Sequence, residues 1–272
     1  MTDPANFCRK KRRIICVSTI NVNLYNTHIS SMQLKKQLLI FAVLLLAAPA
    51  RLLAQDNQFS GWAAIFHSHK LSEHWGYSFD GQLRSHDEVS YLKHILLRPS
   101  ANYYFAKNKV GALGYAYIAT YGRIPSNETT FRPEHRIWQQ YTYTHKLTRH
   151  IQLAHRLRLE QRFLGNTADN KNDRYFAQRF RYFARAVIPM KPDSDVFTEG
   201  TFLALQNEAF VNVQNKNKVN KHFFDQNRAY VAVGYRFSKS FDAEAGYLNQ
   251  YIKQADAYVV NHVAQVAFYT RF

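Results

Sequence analysis

Residues 151–163 read IQLAHRLRLEQRF, and the two sides of this stretch differ at a period of two. Ile151, Leu153, Leu157, Leu159 and Phe163 fall on one side, while Gln152, Arg156, Arg158, Glu160 and Arg162 fall on the other. Successive side chains of a strand point to opposite faces, so the stretch is a strand with one apolar and one charged face. A soluble sheet can lay one such strand over its core, but here similar segments follow one another from about residue 58 to the last residue, Phe272. The repetition predicts an all-β chain folded as an antiparallel transmembrane β-barrel of about 10–12 strands, apolar outside and charged inside.

Turn chemistry divides the chain into segments near 58–69, 74–85, 91–105, 109–121, 134–145, 151–163, 174–188, 197–212, 224–237, 241–253 and 258–272. At about 3.3 Å per residue and a tilt near 40°, strands of this length cross a membrane. Connections near 70–73, 106–108, 146–150, 189–195 and 238–240 are mostly tight; those at 122–133, 164–173, 213–223 and 254–257 are mostly longer and polar, and 85–90 is a short member of that second set. Short periplasmic turns and longer outer loops are the asymmetry of bacterial barrels, which also have even strand numbers. An even count predicts that the segment at 58–69 lies outside the wall or in the lumen, leaving ten strands, or that two elements are merged and there are twelve.

Alternation also assigns faces. Trp75, Tyr77, Phe79, Leu83, Leu113, Tyr115, Tyr117, Ile137, Tyr141, Tyr143, Val231, Val233, Tyr235 and Phe237 fall on the side expected to meet lipid. Tyr and Phe gather near strand ends, where their rings suit the membrane interface. The opposite side supplies the lumen-lining candidates Arg84, Arg98, Glu134, Arg136, Arg156, Arg158, Glu160, Arg162, Arg179, Arg181, Arg185, Glu208 and Arg228, together with Asp80, Gln82, Gln140, Gln206, Gln226 and Glu244. A ladder of Arg and Glu in a narrow barrel reads first as a paired, space-filling network. Unpaired charges at that depth are costly, so each acid is expected to be claimed by an arginine.

The N-terminal region stands apart. From Met32 the chain has Lys35 and Lys36, an apolar run from Leu38 to Ala48, and small residues before Gln55. This pattern predicts a signal peptide over 32–54, cut after Ala54; the run is too short for the roughly 20 residues of a spanning helix. Residues 1–31 then read as a non-native extension, and residues 55–272 as a single outer-membrane barrel domain. Both cysteines, Cys8 and Cys16, fall before residue 55. The whole chain carries a net charge of +17, of which residues 1–54 hold eight Lys or Arg and one acid, so +10 remains for 55–272. For an exported chain this basic balance points to outer-membrane lipid and lipopolysaccharide or small acidic solutes rather than to nucleic acid. The run RYFAQRFRYFAR (174–185) could pass for a base-stacking surface, but its alternation of Phe176, Phe180 and Tyr182 against Arg179, Arg181 and Arg185 fits a barrel wall.

No catalytic or metal-ligating constellation emerges, and no cofactor is implied. Outer-membrane phospholipases and lipid A deacylases place His two residues before Ser on one strand face, whereas His67-Ser68-His69 puts Ser68 opposite both histidines. The remaining histidines are scattered without ligand spacing. Val266, Phe268, Thr270 and Phe272 share one face, and this aromatic ending is the signature of substrates of the outer-membrane insertion machinery.

FDGQLRS (79–85), LLRPSANYYF (96–105), EHRIWQQYTY (134–143), HRLRLEQRF (155–163), RFRYFARAVIP (179–189), LQNEAF (205–210), FDQNRAYVAVGYRFSK (224–239) and GYLNQY (246–251) together resemble the domain of unknown function 2490 family, DUF2490. The resemblance spans 55–272 and implies a Gram-negative outer-membrane β-barrel, with no catalytic or binding residues to carry over. Where members read Glu-Asn-Arg, this chain has Glu134-His135-Arg136, a departure on the outward face. The leading expectation is therefore a barrel of the cell outer membrane that is structural or a narrow, arginine-lined solute channel. An outer-membrane enzyme modifying lipid or lipopolysaccharide is one alternative. A soluble exported barrel binding an apolar ligand, with its apolar face turned inward, is another.

Overall fold

A computed structural model describes residues 55–123, 129–165, 174–190 and 196–272. The expected extension (1–31) and signal peptide (32–54), with Cys8 and Cys16, lie outside the described residues. The described chain is almost entirely strand: β1 Gln55–Lys70, β2 Trp75–Ser85, β3 Leu92–Ala106, β4 Lys109–Arg123, β5 Thr129–Lys146, β6 Gln152–Gly165, β7 Arg174–Pro189, β8 Gly200–Gln214, β9 Phe224–Ser238, β10 Phe241–Lys253 and β11 Tyr258–Arg271. These eleven strands form one closed barrel in which each pairs with its neighbours in sequence.

The ring closes differently from the rest. β1 lies against β11 in parallel, from Gln55 opposite Tyr258 to Ser68 opposite Arg271, while its other edge pairs antiparallel with β2. The first segment is thus neither outside the wall nor in the lumen, and among the described residues no merged element raises the number to twelve. Parity misled because the pairing of the first and last strands is set by no turn. It is set by matching faces: Trp62 and Ala64 are buried, while Ala63 and Ile65 face out, in step with buried Val263 and Gln265 and exposed Val266 and Phe268 across the seam. With an odd number of strands, Gln55 and Phe272 sit at opposite mouths.

The alternation of connection lengths is weaker than expected. The segment between β7 and β8 runs from Met190 to Glu199 and is not tight. Its described part turns back into the barrel: Phe197 packs edge-on against Phe202 at 6.0 Å, and Arg236 donates to the Phe197 carbonyl at 2.8 Å. The turn at 215–223 is tied down at the other mouth, where buried Asn220 donates to the carbonyls of Phe224 and Lys253 at 3.0 and 2.9 Å.

Large rings fill the interior wherever the facing strand yields space. Gly114 lies opposite Trp138, and a Cβ on Gly114 would stand only 2.1 Å from the indole. Gly234 likewise leaves room for the Phe202 ring, 2.3 Å from where its Cβ would be. Trp62, Phe202, Ala204, Tyr230, Ala232, Leu248 and Val263 form one buried apolar cluster on the side of β8–β11 and β1; Leu96, Ala116, Ile118 and Trp138 form a smaller one on β3–β5. The outer wall exposes Trp75, Tyr77, Leu83, Leu97, Leu113, Ile137, Leu157, Val231, Val233 and Phe268.

Candidate functional site: the charged lumen

The charged sides of the strands converge on the lumen because a closed barrel gives the two faces of every strand opposite fates. Arg84, Arg98, Glu134, Arg136, Arg158, Glu160, Arg162, Arg179, Arg181 and Glu208 are buried. Arg156, Arg185 and Arg228 point the same way and keep between 11% and 21% of their side chains exposed. A guanidinium has five donors and no acceptor, so the carboxylates organise what surrounds them.

Glu160 is the hub. It is 1% exposed and accepts from Arg181 at 2.5 Å, Arg179 at 2.7 Å and Arg136 at 3.4 Å. Arg136 turns its other edge to Glu134, with bonds of 2.8 and 2.9 Å, and Arg162 meets the same carboxylate at 2.6 Å. Arg181 continues to Glu208 at 2.6 Å, which also accepts from Arg156 at 2.8 Å. Arg179 reaches Asp225 at 2.8 Å. A continuous chain of charge-assisted bonds therefore links β5, β6, β7, β8 and β9. Outside it, Arg98 pairs with Asp80 at 2.8 Å, and Arg185 crosses to Glu244 on β10 at 2.6 Å. Near the mouth with the short turns, Asp242 holds Arg236 and Arg271 at 2.8 and 2.7 Å.

Aromatic faces occupy the space the ions leave. The Phe210 centroid lies 4.9, 4.6 and 4.8 Å from the guanidinium carbons of Arg179, Arg181 and Arg228. Arg84 stacks over Trp62 at 3.8 Å, Arg158 over Trp138 at 4.0 Å and Arg156 over Phe183 at 4.0 Å. Each such contact favours a cation over a ring face.

Arg84, Arg158 and Arg228 are held less firmly than the others. Arg84 has the amide oxygen of Gln82 as its acceptor. Arg158 donates twice to Gln140, at 2.9 and 2.6 Å, and its nearest carboxylate is Glu160 at 4.0 Å. Arg228 stands 3.9 Å from Glu208. These three arginines, with Arg98, Arg156, Arg181 and Arg185 and against only two carboxylates, Asp80 and Glu208, wall a cavity of about 150 Å³ in the lumen. A second cavity of about 240 Å³ shares the Asp80, Arg98, Arg156 and Arg158 walls and reaches Ser68, Ser78 and Arg271, near the strand ends that carry the short turns.

Two features escaped the sequence. Strict alternation points Asp225 outward, but a register shift opposite Phe210 and Val211 leaves Asp225 and Gln226 both buried. A bulge turns two successive side chains to nearly the same face, and only the pairing reveals it. The outer wall also holds polar groups paired across strands: Tyr115–His135 at 2.5 Å, Tyr182–His155 at 2.8 Å and Tyr247–His262 at 2.6 Å. Gln139–Gln161 and Asn207–Asn227 exchange amide hydrogen bonds there. His155 lies within the decisive stretch, on its apolar side.

The sequence matches a family described as "Protein of unknown function (DUF2490)" over residues 59–261. An uncharacterized protein of Methylorubrum extorquens is 25% identical over 197 residues, which cover 72% of this chain and 80% of that relative. No solved structure matches the chain.

Proposed function

The chain belongs to the DUF2490 family, whose description assigns no activity, and from the chain's own geometry we propose an outer-membrane β-barrel whose lumen is closed by its ion network. The observation that carries this reading is the inversion of the wall: buried guanidinium and carboxylate groups inside, and exposed Leu83, Leu113, Ile137, Leu157, Val231 and Phe268 outside. A soluble protein rarely exposes an apolar surface larger than a few hundred Å², whereas a membrane barrel presents lipid with such a band. The same inversion disfavours a soluble barrel that turns its apolar face inward. Paired Tyr and His side chains on the outer wall fit this surrounding, because polar groups that satisfy one another cost less to remove from water.

Closure follows from stoichiometry and position. Glu134, Arg136, Glu160, Arg162, Arg179 and Asp225 each lie in the half of their strand nearer the longer connections, bonded mostly to adjacent strands, while Arg179–Asp225, Arg156–Glu208 and Arg185–Glu244 join strands that do not pair. Side chains committed to one another in this way fill a path instead of lining it. Lipid and lipopolysaccharide are the partners of the outer wall. The exposed outer face of Val266 and Phe268 on β11 supports the insertion machinery as a further partner.

Fractionation and planar-bilayer recording test this reading. The protein is expected in the outer-membrane fraction, with folded and heat-denatured forms migrating differently on a gel, and with no stepwise conductance once reconstituted. Recovery in the soluble fraction would overturn the membrane reading. Discrete conductance steps from verified folded protein would overturn closure.

A further inference from the structure

We propose that the lumen contains a chamber for one small, free oxyanion of the phosphate class, built where Arg84, Arg158 and Arg228 meet without a carboxylate of their own. The inference rests on the closed-lumen reading, since an open pore would let bulk solvent screen these charges.

Three observations converge on the cavity of about 150 Å³. The first is charge. Arg84 and Arg158 spend their close bonds on amide oxygens of Gln82 and Gln140, and Arg228 reaches Gln226 only at 3.4 Å. None of the three has a carboxylate oxygen closer than 3.9 Å among the described residues. The second is a surplus of donors. Arg98, Arg156 and Arg228, all in the walls of the same cavity, each keep a buried Nε–H with no acceptor. Buried donors left unmade are rare in folded proteins and destabilise them.

The third is orientation. Arg84, Arg156 and Arg158 each have one face stacked on a ring, of Trp62, Phe183 and Trp138 respectively. A ring face offsets part of the charge but accepts none of the in-plane N–H bonds, so the donors not already given to Gln82, Gln140 and Glu208 remain available. Planar forks of this kind match the oxygen spacing of phosphate and carboxylate groups.

The class of ligand follows by elimination. Water supplies acceptors but no charge, and chloride supplies charge at a single point. A tetrahedral oxyanion supplies both, with several acceptor oxygens to distribute among the surrounding guanidiniums. A cavity of about 150 Å³ has room for about five waters at roughly 30 Å³ each. That holds a phosphate-sized ion with a water or two, and the short-chain lipid in the test below distinguishes the free ion from a lipid headgroup.

The test is calorimetric titration of inorganic phosphate into the full chain, folded in detergent and dialysed free of multivalent anions. One phosphate is expected to bind per barrel. Arg84→Gln and Arg228→Gln should each weaken it about tenfold or more, the usual loss for a hydrogen bond to a charged group. Arg84→Lys, which keeps the charge, should weaken it less than Arg84→Gln does. Arg236→Gln, whose guanidinium belongs to Asp242 at 2.8 Å, should leave it unchanged. A phosphatidic acid with two six-carbon chains should not displace the ion. Absence of binding to folded wild-type protein, unchanged affinity in Arg84→Gln and Arg228→Gln, or displacement by the short-chain lipid would each overturn the proposal. Conductance is read separately, so a silent barrel that binds no phosphate defeats the oxyanion alone, whereas a conducting one defeats closure.

Discussion

The interior has two unlike halves that solve one packing problem. On the side of β8–β11 and β1, Trp62, Phe202, Tyr230, Leu248 and Val263 fill the lumen mainly by shape, with the ion pairs of Glu244 and Asp242 set among them. On the side of β5–β8, Glu134, Glu160 and Glu208 fill it with the arginines they bind. An apolar half responds to damage in proportion to the volume lost, because each removed methylene forfeits its own transfer and packing energy. An ionic half responds by stoichiometry. One carboxylate removed there orphans every guanidinium it served, and the cost is set by the charges left behind rather than by the atoms deleted.

The sharpest way to break the comparison is Glu160→Gln. The substitution is nearly isosteric, yet it withdraws the negative charge from Arg136, Arg179 and Arg181 together. We expect a loss of about 5 kcal/mol, the upper end of the cost of breaking a buried pair, measured by urea unfolding of the barrel in detergent micelles. A loss below about 1 kcal/mol would mean that solvent reaches the network and that the halves do not differ in kind. Next in size is Phe202→Ala in the apolar half. Phe202 is 1% exposed and lies against Gly234, which cannot move inward to refill the space without backbone change. We expect about 3–4 kcal/mol, with Phe202→Leu restoring much of it; equal losses in the two variants would argue that the ring is held by something other than its volume.

The smallest effects come from adjacent residues of β6 that face opposite ways. Leu157→Arg places a charge on the outer wall and should cost about 2–3 kcal/mol if that wall meets lipid. Arg158→Leu removes a guanidinium that has no close carboxylate and should stay within about 1 kcal/mol, since losing the charge offsets leaving Gln140 unsatisfied. Refolding yield into lipid vesicles orders the two. If Arg158→Leu proves the more damaging, the unpaired arginines are structural and the ionic half extends to them.

What could be read from the sequence was whatever depends on a period of two. Leu157 and Arg158 reveal their faces by alternation alone, and so do Arg179, Phe180, Arg181 and Tyr182 on β7. Partnership is different, because it depends on register between strands. Arg181 is equally placed in the sequence to serve either of two acids, and in the fold it bridges both Glu160 and Glu208. The Tyr182–His155 pair requires knowing that β6 and β7 align as they do. Asp225 was lost to a bulge, which breaks the period, and β1 was misplaced because a parity rule outweighed the matching faces of Trp62 and Val263.

The parallel seam bears on how the wall comes into being. Ten of the eleven strand pairs join neighbours in sequence and can form hairpin by hairpin as a meander grows. The seam joins residues 203 positions apart, Gln55 with Tyr258 and Ser68 with Arg271. Its closure carries the largest chain entropy cost in the fold, and parallel pairing returns slightly less per residue. The last stitch therefore falls late. Before it forms, β1 and β11 are both long unpaired edges, each a template for a foreign strand. Whatever shields those edges until the final strand arrives decides whether the sheet closes on itself or on its neighbour.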